Sequence, residues 1–194
     1  TSTSGTITQW FRKEFARELD HSDAFSKLLK LASNSPVGSK NLITLPYFSG
    51  ERTPIQNPNA SGVIFGLNLT HTRADIYRSI LEGISYGANH IIETFVSAGF
   101  KPKIIFAVGG GVKNDIWTSS ISNISGFDQI IKSKTIGAAY GNSFLGALSL
   151  GHVERQEIDN WNETKQVIKA ESNPIYSKQY KLFKALYEST SKLM

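Results

Sequence analysis

Residues 103–115 read KIIFAVGGGVKND. A short, nearly all-apolar segment breaks into three consecutive glycines, Gly109, Gly110 and Gly111, and then meets a helix start at Asn114 and Asp115. Strand, bare-backbone turn and helix N-terminus together make a seat for a nucleotide. Glycines lack the Cβ that would keep a ligand off the main-chain N–H groups, and a helix N-terminus carries partial positive charge. The same three elements also serve as a tight turn in a parallel α/β sheet, where glycine only lets the next helix pack. A dinucleotide-binding oxidoreductase fits poorly. GGGVKND lacks the GxGxxG spacing, and no strand-end acid follows about twenty residues later.

Working outward, Ile7, Trp10, Phe11, Phe15 and Leu19 recur at helical spacing and predict an opening helix capped by Ser4, Gly5 or Thr6. A second short helix spans about 23–31 and stops at SNSPVGS, where Pro36 and Gly38 punctuate the chain. A strand near Leu42 to Tyr47, a long polar loop SGERTPIQNPNASG and an apolar segment from Val63 to Leu67 follow. Thr72 and Asp75 read as a capping box opening the longest helix, about Arg73 to Ala98, with Gly99 as its stop. Ile76, Ile80, Ile84, Ile91 and Phe95 give that helix a wide apolar face, so it should lie across a sheet. Gly83 and Gly87, one turn apart, predict close backbone approach. After the glycine turn come a helix near Asp115 to Ser125, a strand near Gln129 to Lys132 and a small-residue helix from about Ile136 to Leu150. The stretch from Lys178 to Lys192 reads as a closing amphipathic helix. Alternating strands and helices predict one α/β domain of two or three layers.

With 194 residues, 40% of them hydrophobic and 11% aromatic, there is material for a core of its own. The absence of cysteine excludes disulfides, thiolate metal sites and a cysteine nucleophile. His21, His71, His90 and His152 show no metal-ligand spacing. The net charge of +5 comes from scattered lysines and arginines rather than a basic patch interleaved with aromatics, so a nucleic-acid partner is not expected. No membrane-length apolar run and no signal-peptide core in TSTSGTITQWFRKEF leave a cytoplasmic protein without a membrane partner as the expectation.

Two strings carry a family resemblance. LPYFSGERTPIQNPNASGVIFGLNLTHTRADIYRSILEGISYG resembles the second signature region of the FGGY carbohydrate kinases, and AVGGGVKNDIWTSSISNISG resembles their adenosine-binding motif. They occur in the family's order and separation, and TIGAAYGNSFLGAL matches the small-residue helix that follows. The GERTP wording is closest to xylulokinase-like and gluconate-kinase-like members. The resemblance implies an α/β, actin-like ATPase (ribonuclease H-like) lobe with a mixed sheet flanked by helices. It further implies ATP and Mg2+ as cofactors, and transfer of the γ-phosphate to a sugar or polyol hydroxyl, of a pentulose such as xylulose or of gluconate.

It also implies that residues 1–194 form a single domain, the carboxy-terminal, nucleotide-binding lobe of a two-lobe enzyme. The sugar pocket and the catalytic aspartate are expected in an amino-terminal lobe outside this chain, the metal is expected to be held mainly by the nucleotide and that lobe, and a phosphate-binding hairpin is expected just before Thr1. No catalytic base is therefore assigned here: Asp115, Asp128 and Glu82 read as a cap, a surface group and a structural partner of the long helix. By the same resemblance, Gly110 and Asn114 match positions contacting adenosine, Gly109 and Gly111 shape that turn, and Gly5 and Gln9 match the other nucleotide-contacting pair. Glu51 and Arg52 read first as a local pair ordering the long loop. A non-catalytic nucleotide-binding or sugar-sensing module of the same superfamily is the competing expectation, and a homodimer stays open.

Overall fold

The computed structural model describes residues 3–19 and 22–194, so His21 and Thr1 lie outside the described residues. Two sheets organise the chain. Ile43–Leu45 forms β1, with all three side chains buried, and pairs antiparallel with β2, Val63–Phe65, in the register Ile43 with Phe65 and Leu45 with Val63. β3, Ile105–Ala107, runs parallel to β4, Gln129–Lys132, and β4 pairs antiparallel with β5, Thr164–Ile168. The second sheet is therefore mixed, with β4 in the middle.

Seven helices surround these sheets among the described residues: α1 (Ser4–Phe15), α2 (Ala24–Ser33), α3 (Arg73–Ser97), α4 (Asp115–Ser125), α5 (Ala138–Ser149), α6 (Ile158–Trp161) and α7 (Pro174–Thr190). The expected elements are present, shifted by a few residues where they differ. β5 and α6 are the additions. TKQVI is a polar strand on the sheet's edge, with four of its five residues exposed, so no apolar alternation marks it in sequence.

α3 ties the molecule together. Its capping box is formed: Thr72 donates its N–H to Asp75 Oδ2 at 2.8 Å, which satisfies one of the helix's orphan donors. One side packs with α1 and α2 around Ile7, Phe11, Leu28, Tyr77, Ile80 and Ile84; another packs with β1 and α7 around Ile43, Leu45, Tyr86, Tyr176 and Phe183. Each such fully buried side chain is worth about 1.5–3 kcal/mol relative to exposure. Close approach explains Gly83, where a Cβ would lie 2.3 Å from the Thr44 carbonyl oxygen. Gly87 is buried as well. Beyond Gly87 the expected apolar face is covered only in part: Ile91 is half-buried and the cover ends after residue 92. α7 reaches this half only at its polar side, where Tyr180 and Lys184 bond Glu93, and Phe95 is left 52% and Val96 47% exposed. Gly99, with φ of +89°, ends it as expected.

Four consecutive residues, Gly38, Ser39, Lys40 and Asn41, have φ of +81°, +48°, +52° and +72°. Three of them carry side chains, so this left-handed turn costs energy that surrounding bonds must offset. Glu82, 1% exposed, accepts from the Gly38 N–H at 3.0 Å, the Ser39 hydroxyl at 2.7 Å, Arg78 Nε at 3.0 Å and the Tyr176 hydroxyl at 3.3 Å. Lys40 pairs with Asp75 at 3.0 Å. The SGERTP loop is ordered similarly: Glu51, 4% exposed, accepts from the Arg52 main-chain N–H at 3.0 Å. No described helix is long and apolar enough to cross a membrane.

Candidate functional site

Sequence places β3, the glycine turn and α4 in succession, and folding sets them beside α1 and α2. Between them lies an open cleft of about 990 Å³. Gly5 and Gln9 of α1 line it together with Gly110, Gly111 and Asn114, although about a hundred residues separate the two groups. Gly109 is not on the wall, but it sets the turn, with φ of +87°. Gly110 and Gly111 do not take positive φ. Their reasons differ. A Cβ at Gly110 would meet no atom within 4 Å and would stand in open space, whereas one at Gly111 would press on the Trp117 ring at 3.1 Å.

After the turn, residues Gly110–Lys113 wind as one tight 3-10 segment before Asn114 caps α4. Asn114 Oδ1 accepts the Trp117 main-chain N–H at 3.0 Å. Its amide N–H donors engage no described partner, so one side chain starts the helix and still offers donors at the cleft. α4 thereby aims its N-terminal N–H groups and dipole at this space.

Gln129 is a site-supporting residue that the sequence reading did not single out. It is 1% exposed, lines the base of the cleft, and donates through Nε2 to the Thr118 carbonyl and, at 2.9 Å, to the Ser122 hydroxyl. This fastens β4 to α4 and so fixes where Asn114 stands relative to β3. The available signal was the pair Thr118 and Ser122, four residues apart on one helix face, opposite a glutamine at a buried strand position.

The cleft's chemistry suits recognition more than proton transfer. Its side walls carry Phe25, Leu29 and Trp117, flat or aliphatic surfaces fit for a ring, and Lys113 lines it too; among the described residues no Asp or Glu lines it. The three acids considered earlier lie elsewhere. Glu82 belongs to the buried network, Asp115 sits in the first turn of α4, and Asp128 bonds Lys169 at 2.6 Å and the Ala170 N–H at 3.0 Å. The Lys169 hydrogen bond, aided by the Ala170 N–H, holds the Asp128 carboxyl below its ordinary value. No group of three His, Asp or Glu able to hold a metal exists among the described residues.

Comparison with known proteins places this geometry. The sequence model for the C-terminal domain of the FGGY family of carbohydrate kinases matches residues 1–150. A xylulose kinase of Staphylococcus epidermidis (strain ATCC 12228 / FDA PCI 1200) is 29% identical over 199 residues, covering 100% of this chain and 39% of that protein. A gluconokinase of Bacillus subtilis (strain 168) is 28% identical over 204 residues, with the same two coverages. Among solved structures, xylulose kinase from Rhodospirillum rubrum superposes with a TM-score of 0.85 at 27% identity, over 97% of this chain and 38% of that one. Gluconate kinase from Lactobacillus acidophilus gives 0.82 at 28% identity, over 96% and 38%. The fold is thus the actin-like ATPase lobe, and the chain spans about 39% of the length of the curated relatives it matches.

Proposed function

This chain belongs to the FGGY family of carbohydrate kinases, matching their C-terminal domain, and on that premise we propose that it is the nucleotide-binding lobe of an ATP-dependent sugar kinase. In this reading residues 1–194 act as one domain in the cytoplasm, and the acceptor is a pentulose such as xylulose, or gluconate. A second lobe supplies the sugar pocket and the catalytic acid/base. The observation that carries the reading is the shared cleft, which collects Gly5 and Gln9 with Gly110, Gly111 and Asn114.

Phosphoryl transfer makes such a division of labour workable. The reaction needs alignment and stabilisation of negative charge more than covalent help, so half of the site can consist of backbone donors and a base-side pocket. Here the turn from Gly110 to Asn114 offers main-chain and amide N–H donors to the adenosine part, the α4 N-terminus adds partial positive charge beside an anionic ligand, and Phe25 and Trp117 offer surfaces for the base. Magnesium would neutralise charge on the phosphates. The described residues hold no acidic cluster for it, so in this proposal the nucleotide and the second lobe carry the ion. Closure of the lobes would exclude water and bring the sugar hydroxyl in line.

Calorimetry with ADP tests the site. Gly110→Val places a branched side chain into the open space of the turn, where no positive φ strains it, so the fold should survive and ADP affinity should fall at least tenfold, about 1.4 kcal/mol. Unchanged affinity in a folded variant would move the nucleotide elsewhere. A non-catalytic binding module would instead keep the ADP site while the chain joined to its second lobe phosphorylates no member of a panel of pentuloses, gluconate and glycerol.

A further inference from the structure

Helix α4 presents its N-terminus to the cleft, yet among the described residues the side-chain hydrogen bonds that tie it to other elements all involve Thr118 or later positions. Gln129 donates to Thr118 and Ser122, Ser122 donates to the Ile168 carbonyl at 3.4 Å, the Glu171 main-chain N–H donates to Asn123 Oδ1 at 2.8 Å, and the Ser120 hydroxyl meets the Tyr176 hydroxyl at 3.2 Å. Ile116 and Trp117 pack onto the core around α3. Such apolar contact presses the helix down without fixing its rotation or its slide along its own axis, because burial is non-directional; hydrogen bonds, with their narrow geometry, supply both. Apart from those of Gln129, the ties reach one stretch, Ile168 to Tyr176, which lies beyond residue 150, where the match to the family model ends.

We propose that Tyr176 is a positioning residue of the nucleotide site: its hydroxyl holds Ser120, and through it fixes where Asn114 and the first turn of α4 stand at the cleft. Both members of this tie are enclosed, Ser120 at 1% and Tyr176 at 3% exposure, so losing either hydroxyl leaves the other buried and short of a partner. Tyr176 is itself immobilised by its ring, which sits in the core cluster with Ile43, Leu45 and Phe183 and meets Tyr86 edge-on at a centroid distance of 6.3 Å. Its hydroxyl also donates to Glu82 at 3.3 Å, which commits the phenol proton to the carboxylate and the Ser120 proton to the phenol oxygen. Either hydroxyl can donate to the other, so the tie to Ser120 outlasts the loss of Glu82. Neither Ser120 nor Tyr176 lines the cleft. Their influence travels along the helix: Ser120 follows Asn114 by six residues, roughly 9 Å of axis, and a hydrogen-bonded helix carries a rotation or slide at one turn to its end. The proposal rests on the cleft being the nucleotide site.

Calorimetric ADP titration and amide exchange without ligand, both on the 194-residue chain, test this in three variants. Tyr176→Phe removes one oxygen and keeps the ring. It should weaken ADP binding about fivefold or more, the order expected when a buried hydroxyl pair is broken. It should also speed exchange at the Trp117 and Thr118 N–H groups, which bond Asn114, relative to Ile80 in α3. Ser120→Ala breaks the same tie from the helix side with a good helix former, should have both effects, and covers the case in which the phenylalanine variant does not fold. The double variant should bind ADP no more weakly than either single one, since all three lack one and the same tie. Tyr180→Phe, on the same helix with its hydroxyl on Glu93 at 2.7 Å, should keep the parent's ADP affinity. A merely structural role for Tyr176 would speed exchange in α3 and α4 alike and leave ADP affinity unchanged well below the Tm. That pattern, or parent-like affinity in either folded tie variant, overturns the positioning role alone. A parent chain that binds no ADP overturns the nucleotide reading and this proposal with it.

Discussion

The Ser39 hydroxyl meets the Glu82 carboxylate at 2.7 Å, across 43 residues of sequence and with both groups buried. The bond holds a side-chain-bearing residue in left-handed conformation in the turn that leads into β1. In sequence Glu82 reads as a structural partner of the long helix. Its partners, Gly38, Ser39, Arg78 and Tyr176, all belong to the scaffold.

Removing that carboxylate should therefore cost stability and leave nucleotide contacts intact. Glu82→Ala leaves Arg78 buried without its ion-pair partner, with an expected loss of about 3–5 kcal/mol. Glu82→Gln, which keeps an acceptor, should lose less. Urea denaturation of the two variants checks the order; equal losses would mean that the neutral acceptor kept by glutamine recovers nothing and that the charge alone carries the effect.

Asp75 should make the fold acid-sensitive. Burial pushes its carboxyl up, but the Thr72 N–H together with Lys40, Ser35 and the Thr72 hydroxyl outweighs burial and holds it well below the usual carboxylate range. A depressed folded-state value contributes stability that is complete above the unfolded pKa, about 4, and is lost as pH falls below it. Between pH 5 and about pH 2 the parent should lose more stability than Asp75→Asn, measured by denaturation at each pH. Parallel curves would contradict the argument.

Gly83→Leu should overpack α3 against β1, since even a Cβ would lie 2.3 Å from the Thr44 oxygen. The expected cost is about 1–3 kcal/mol or more, read as a lowered Tm. A parent-like Tm would show that the two elements can separate freely.

Asn114 tests capping against contact. Asn114→Ala should lose about 1 kcal/mol of stability from the missing cap, whereas Asn114→Asp keeps an acceptor for the Trp117 N–H and should be close to the parent. Under the proposed function both variants weaken ADP binding, because both lose the amide donors. Full ADP affinity in Asn114→Asp would restrict this residue to its capping role.

The chain alone should turn over no sugar. A coupled ADP-release assay with pentuloses, gluconate and glycerol checks this. Turnover abolished by changing Asp115 would mean that a catalytic group had been overlooked in this lobe.

What sequence revealed and what it concealed follow from the same physics. α4 and β4 were legible to the residue because caps, an αL glycine and a compact β-rich run mark their ends. α3 was legible in extent from Thr72, Asp75 and Gly99, yet not in burial: its pattern shows that Phe95 is apolar, but only tertiary contacts decide whether anything lies over it. β5 was illegible because Thr164, Lys165 and Gln166 occupy a solvated edge and bury nothing there. At the candidate site the six residues expected from motif resemblance fall around one cleft or its turn, while Gln129 was missed because its role depends on a helix eleven residues back in sequence, at Thr118.

The three adjacent glycines respond to substitution for separate causes. At Gly109 chirality excludes L side chains, since φ is +87°. At Gly111 the Trp117 ring sets a volume limit. At Gly110 neither restriction operates within the chain, so variation there is neutral to folding and is filtered only by what must enter the cleft. A library selected for folding would accumulate alanine and serine at 110 and keep glycine at 109, and the residues depleted at 110 when the same library is passed over immobilised nucleotide would trace the ligand's outline from its missing side chains.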